Sequence, residues 1–289
     1  MSKNMKINKD TKFLIVGLGL IGGSYAKALK KQGYRVEAIA HRAETIAYAL
    51  ENKIIDGGST EVTKETVGGA DVIVFALYPK VFLEWIDENQ HLIKSGAMIT
   101  DVTGVKSCIV YDIQKKLRPD VEFISAHPMA GREVYGVENS DEKIFRGANY
   151  IVVPTDKNTP EAIEECKKLG EILGFARVSA LSPEEHDEMI GFVSQLTHCI
   201  AVSLMTCSDN KRLVDYTGDS FRDLTRIARI NDAMWSELFM MNKDALLKEM
   251  DKFIDEFVLF RGMLASGDVD GMREKMRIST ERRAWFDKK

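Results

Sequence analysis

At 289 residues, with 45% apolar and 29% charged side chains and a formal net charge of −4, the chain is long enough for two packed domains. Its acidity argues against a nucleic-acid partner, which calls for a clustered basic surface. The lysine-rich start, Met1 to Lys12, lacks the apolar region of a secretory signal. The most apolar run, Phe13 to Gly23, is broken by glycines and falls short of the ~18 residues that a membrane span needs.

Up to Leu181 the chain alternates between short β-rich apolar runs and amphipathic stretches. The expected strands are Phe13–Val16, Arg35–Ala40, Val72–Ala76, Ala97–Asp101, Glu122–Ser125, Tyr150–Val153 and Ala176–Ser179. Helical patterns at Gly22–Gln32, Thr45–Asn52, Ser107–Lys116 and Pro160–Leu173 fall between most of them. Such alternation is the pattern of an α/β, doubly wound, mainly parallel sheet.

Gly17-Leu18-Gly19-Leu20-Ile21-Gly22 directly follows the first strand and opens a helix, with a second strand about 20 residues on. In that context the glycines read as a dinucleotide-binding turn. Gly17 allows the tight bend, Gly19 the approach of a pyrophosphate and Gly22 close packing of helix on strand. The second strand ends in Ala40-His41-Arg42 rather than in a carboxylate. A cationic pair there favours the 2′-phosphate of NADP over the 2′-hydroxyl of NAD.

Among five histidines, His127 stands apart, because Ser125-Ala126-His127-Pro128 lies at a strand end, where open α/β sheets bind their ligands. A histidine beside a nicotinamide can take a hydroxyl proton while hydride leaves the same carbon. Thr103, at the neighbouring strand end Asp101-Val-Thr-Gly-Val-Lys106, is expected to orient His127 or the substrate hydroxyl. Asp101 and Lys106 read equally well as an ordinary ion pair where a helix starts.

Beyond Leu181 the apolar spacing is helical to the end, which sets expected domains at 10–181 and 182–289. Ser182-Pro183-Glu184-Glu185 reads as a helix cap. The long helix behind it is apolar on more than one face, so burial against a second subunit is expected. Ser194, Gln195 and His198 form a polar cluster within it that either lines a substrate site or closes a core network. Arg222, Arg226 and Arg229 recur at helical spacing and suit carboxylate binding, with Arg222 and Arg229 expected to be solvated. Four scattered cysteines, Cys108, Cys166, Cys199 and Cys207, suggest neither a metal site nor disulfides, and a reduced cytoplasmic setting follows.

Taken in order, several segments carry a resemblance. They are Gly17 to Ser24, Asp101 to Lys106, His127 to Gly131, His186-Asp187 with Ser194 to His198, and Phe221 to Arg226 followed by Met234-Trp235. From roughly Phe13 to Arg261 the chain resembles the prephenate/arogenate dehydrogenases of tyrosine biosynthesis. The resemblance implies a Rossmann-type domain followed by an all-α dimerisation domain, a homodimer, and a cleft between the domains. It also implies NAD(P)-dependent oxidative decarboxylation of prephenate to 4-hydroxyphenylpyruvate. By the same resemblance His127 is the catalytic histidine, His198 a second active-site histidine, and Arg226 the partner of a substrate carboxylate.

Two segments depart from that pattern. Gly104 stands where many relatives have a serine, and Ser194-Gln195-Leu196-Thr197-His198 keeps only the final histidine of its segment. Some relatives append a regulatory ACT domain; without one after Lys289, inhibition by tyrosine is expected to act at or near the active site. Arogenate, differing from prephenate by an amine in place of a ketone, is the alternative substrate. A β-hydroxyacid-type dehydrogenase and a non-catalytic nucleotide sensor are the remoter readings.

Overall fold

A computed structural model describes residues 6–287. Its first part runs β1 (Lys12–Val16), α1 (Leu20–Lys31), β2 (Arg35–Ile39), α2 (Ala43–Glu51), β3 (Gly57–Ser59), α3 (Lys64–Val67), β4 (Val72–Phe75), α4 (Pro79–Asn89), β5 (Met98–Asp101), α5 (Ser107–Lys116) and β6 (Glu122–Phe123). These six strands form one parallel sheet in the order β3-β2-β1-β4-β5-β6. Both faces are covered, which is why the strands are apolar throughout rather than alternating. On one face Phe13 and Ile15 pack with Tyr25 and Leu29 of α1. On the other, Leu14 and Val16 pack with Phe82 and Ile86 of α4 and Ile109 of α5.

The expected strand Glu122–Ser125 divides in two. β6 ends at Phe123, and β7 (Ser125–Pro128) begins a second sheet, antiparallel to β8 (Asn149–Val153), which after α6 (Pro160–Leu173) runs parallel to β9 (Arg177–Ala180). A side chain makes this break: Asp101 Oδ1 accepts hydrogen bonds from the Ser125 hydroxyl and the Ala126 N–H, where a continuing ladder would have used backbone. β3, α3 and α4 were not among the expected elements. β3 is Gly57-Gly58-Ser59 and has almost no side-chain pattern to read.

After β9 the chain is helical. A capping box joins Ser182 and Glu185 at the start of α7 (Pro183–Ile190), as the sequence suggests. A π-helical segment, Gly191–Leu196, links α7 to α8 (Thr197–Thr206). Then come α9 (Asp219–Thr225), a 3₁₀ turn over Arg226–Ala228, α10 (Asp232–Met241), α11 (Lys243–Ser266) and α12 (Val269–Ala284). The arginine spacing therefore does not lie on one helix: Arg222 is in α9, whereas Arg226 is in the following turn.

One expectation is corrected here. Pro183–Thr206 forms a helical stretch of 24 residues with a mean hydropathy of 1.4, long and apolar enough to cross a membrane by length and composition. Its last 18 residues, Met189 to Thr206, contain no Asp, Glu, Lys or Arg. Within the single chain only 28% of that apolar window is buried, with Met189, Phe192, Val193 and Met205 facing outward.

Candidate active site

Gly17 has φ +97, and a side chain on it would run into the Ala76 carbonyl at 2.4 Å, so only glycine serves at this bend. At Gly22 an added carbon would meet the Gly17 carbonyl at 2.0 Å. Gly19 differs: nothing lies within 4 Å of where its Cβ would stand. That open side faces the start of α1, whose N-terminus has no side-chain cap. Free amides at the head of a 12-residue helix, beside backbone with no side chain in the way, fit a diphosphate. Leu18, Leu20 and Ile21 complete the turn, with Leu18 buried. At the end of β2 the exposed Arg42 holds the N-cap position of α2, next to exposed His41. Glu37, the acidic residue within β2, is already paired with Arg35 at 2.7 Å.

At the carboxyl end of β5, Asp101 and Lys106 form a fully buried ion pair of 2.8 Å. The Lys106 ammonium also donates to the Ala126 carbonyl (2.7 Å) and to the Thr103 hydroxyl (3.2 Å). Asp101 Oδ2 accepts in addition from the Thr103 N–H and hydroxyl. The cluster ties β5, β7 and the loop before α5 together. Burial lowers the Lys106 pKa, against the pull of Asp101. Such a satisfied hub defines geometry more than it adds stability. What it holds in place is His127, one residue beyond Ala126.

His127 is half-buried, and its Nδ1 lies 2.8 Å from Nε2 of His186. His186 in turn has Nδ1 2.8 Å from Asp187 Oδ1. Burial holds the His127 pKa well below the usual histidine value, with neighbouring His186 and Lys106 acting in the same direction. A neutral imidazole here is competent to accept a proton. Its Nε2 makes no hydrogen bond among the described residues. Gly104 lies beside this ring, and a Cβ added there would be in ordinary contact, 3.8 Å from Leu238 and 4.0 Å from His127 Cε1. α10 thus packs over the strand end through Leu238.

The remaining expected residues divide. His198 is half-buried, its Nδ1 2.9 Å from the Ser194 carbonyl and its ring stacked on Trp235 at 3.8 Å between centroids. Glu133 and Arg226 lie near enough to act on it electrostatically, although burial dominates the lowering of its pKa. Arg226 is exposed and donates to Glu133 at 2.9 Å. Arg222 is solvated and pairs with Asp219. Ser194 bonds His198 through its backbone carbonyl.

Two expectations fail. Gln195 is 1% exposed and uses both ends of its amide on protein, donating to the Leu238 carbonyl (3.2 Å) and accepting from Asn242 (2.7 Å). It fastens the π-helical segment to α10 and α11 and leaves nothing for a substrate. Thr103 spends its hydroxyl on Asp101 and the Val105 carbonyl. The residue bonded to His127 Nδ1 is His186, which the sequence reading counted in the resemblance but gave no site role. The one available signal was its adjacency to Asp187 in the first turns of a capped helix.

Known proteins resemble this chain over nearly its whole length. Residues 25–179 match the family description "Prephenate dehydrogenase, nucleotide-binding domain", and residues 182–278 match "Prephenate dehydrogenase, dimerization domain". The prephenate dehydrogenase of Bacillus subtilis is 33% identical over 273 residues, covering 91% of this chain and 72% of the relative. A cyclohexadienyl dehydrogenase of Zymomonas mobilis is 28% identical over 277 residues, covering 93% and 94%. Among solved structures, prephenate dehydrogenase from Aquifex aeolicus in complex with hydroxyphenyl propionate and NAD+ superposes with a TM-score of 0.89 at 28% identity, covering 98% of this chain and 100% of that one.

Proposed function

The chain belongs to the prephenate dehydrogenase family, and we propose that it performs the family's reaction in the cleft between sheet and helices, with His127 as proton acceptor. The enzyme oxidatively decarboxylates prephenate to 4-hydroxyphenylpyruvate. The observation that carries the residue assignment is the His127 ring, bonded through Nδ1 to His186 and without a hydrogen bond at Nε2 among the described residues, with burial favouring its neutral form.

A bound nicotinamide dinucleotide supplies the hydride acceptor. Held against it, the ring carbon bearing the 4-hydroxyl loses hydride while the hydroxyl proton passes to His127 Nε2. The ring carboxylate then leaves as CO₂, and its bonding electrons make the ring aromatic. His127 returns its proton to the 4-oxygen, so the balance is prephenate and oxidised cofactor to 4-hydroxyphenylpyruvate, CO₂ and reduced cofactor. Aromatisation drives the reaction, leaving the protein to orient the ring and hold its carboxylates. Arg226 takes one carboxylate by displacing Glu133, and His198, braced by Trp235, contributes a second polar contact.

His41 and Arg42 at the end of β2 favour NADP, with Glu37 already paired to Arg35 and Glu44 in the first turn of α2 the competing carboxylate. The outward-facing Phe192, Val193, Phe257 and Val258 suit burial against a second copy, making a homodimer through the helical domain. We assign the enzyme to the cytoplasm, which its four unpaired cysteines favour. The test is absorbance of reduced nicotinamide with prephenate or arogenate, each with NAD⁺ and NADP⁺. Turnover of prephenate supports the reading; turnover of arogenate alone would replace the substrate, and silence throughout would overturn the reaction.

A further inference from the structure

Asp187 sits against the N-terminal end of α5, with Oδ1 accepting from the Lys106 N–H (2.9 Å) and Oδ2 from the Ser107 N–H (2.8 Å). Burial opposes its ionisation, but the hydrogen bonds from His186 and Ser107 outweigh that and hold its carboxyl below the usual range. An ionised carboxylate only accepts, so the His186 Nδ1 that faces it carries a proton. Burial keeps His186 neutral, and a neutral imidazole has a single N–H. His186 Nε2 is therefore a bare acceptor. His127 Nδ1, 2.8 Å away, must be the donor, which leaves the lone pair of neutral His127 on Nε2.

We propose that His186 and Asp187 are positioning residues that fix, from the helical domain, which nitrogen of His127 carries its proton. They touch neither substrate nor cofactor. Their effect is to aim a lone pair, rather than an N–H, at the substrate hydroxyl. The relay crosses the domain boundary twice: His127 belongs to the sheet domain, His186 and Asp187 to α7, and the amides that hold Asp187 to α5. The base has its working tautomer only while α7 is docked on α5. The proposal rests on the assignment of His127 as proton acceptor.

The charged and titratable groups facing this pair are Lys106 and Asp101 from the end of β5 and the loop before α5, and Asp187 from α7. α10 presents Leu238 beside Gly104. A proton gained by the His127–His186 pair is thus stabilised by Asp187 and opposed by burial and Lys106, and the acid limb of the activity profile belongs to the pair as a unit.

The test uses the full chain labelled with ¹⁵N-histidine, together with His186→Gln, His186→Leu and Asp187→Asn. In the unsubstituted protein the nitrogen shifts of His127 are expected to show a protonated Nδ1 and a bare Nε2. His186→Gln keeps an acceptor for His127 and a donor for Asp187, and should retain turnover within about tenfold. His186→Leu and Asp187→Asn free the tautomer and should lose roughly 10²–10⁴ in kcat with KM little changed. In Asp187→Asn the acid limb of kcat/KM should also move to lower pH, since the anion that favours the protonated pair is gone. A protonated Nε2 on His127 would overturn the proposal without any variant needing to fold. So would Leu performing as well as Gln, the outcome of a packing role at this fully buried position. Turnover surviving His127→Asn would remove His127 as acceptor and the relay's purpose with it, while the nitrogen shifts would still decide the tautomer.

Discussion

Arg226 and Glu133 are joined Nη1 to Oε1 at 2.9 Å, with the guanidinium 66% exposed and the carboxylate 39%. A pair that open to water is held weakly, on the order of 0.2–1 kcal/mol. It keeps Arg226 extended beside His198 without committing it. A substrate carboxylate offering two oxygens competes for the guanidinium on favourable terms. Arg226→Ala is therefore expected to weaken substrate binding by about 1.5–3 kcal/mol, seen as a KM raised roughly 10- to 100-fold with kcat less affected. Glu133→Gln should leave KM unchanged or lower it a few-fold. An unchanged KM in Arg226→Ala would take Arg226 out of the site.

His127→Asn removes the proton acceptor while leaving a polar side chain of similar reach. The expected loss is about 10²–10⁴ in kcat, with cofactor affinity unaffected. A parallel measurement on Thr103→Val separates the two residues first suspected of catalysis. Because the Thr103 hydroxyl is spent on Asp101, its removal should cost about 1–2 kcal/mol of stability in urea unfolding and leave KM for substrate in place. A large KM change in Thr103→Val would return that residue to the cleft.

That contrast marks what the sequence carried and what it did not. Gly17 and Gly22 were readable because strand, turn and helix are contiguous and both glycines answer a local steric demand, whereas Gly19 meets none within the chain. His127 was expected just beyond the end of a strand, and it lies within β7, paired with Ile151. Thr103 was misread although its partners are only two or three residues away, because the burial of Asp101 and Lys106 is decided by the fold. Gln195, open between a site and a core network, could not be decided because its partners lie 43 and 47 residues on. Nothing in Gln195 itself announces Asn242, 47 residues on. The break between β6 and β7 was hidden for the same reason: it is made by the Asp101 side chain from another strand. His186 was noticed but given no role, because a histidine followed by an aspartate on a helix is ordinary until α5 is seen to lie against it.

The proposed preference for NADP rests on Arg42. It is exposed at the N-cap of α2 with no ion-pair partner among the described residues, so its charge is available to a 2′-phosphate. Arg42→Ala should raise KM for NADP⁺ about tenfold or more and change KM for NAD⁺ little. Initial rates with the two cofactors decide it. If the unsubstituted enzyme prefers NAD⁺, the argument from His41 and Arg42 is wrong and the exposed pair merely borders the pocket.

Stability below neutral pH should report the buried histidines. His127, His186 and His198 all have pKa values lowered in the fold, with burial the leading cause for each. The sign follows from linkage: below about pH 6.5 the unfolded chain binds protons at these positions while the folded chain does not, so acidification favours unfolding. Each histidine contributes a slope of at most about 1.4 kcal/mol per pH unit, and it ends where the folded protein itself takes up the proton. Asp187 acts in the same direction, but its contribution is present above the usual carboxylate range and is lost only as pH falls through it. The window from about pH 6.5 down to about 4.5 therefore isolates the histidines. Urea unfolding at fixed protein concentration should show stability falling steadily through that window, and less steeply in His186→Gln, which retains the hydrogen bonds but cannot titrate there. A flat profile in the unsubstituted protein would mean that His127 and His186 are no harder to protonate folded than unfolded, and would remove the neutral base on which the reaction depends.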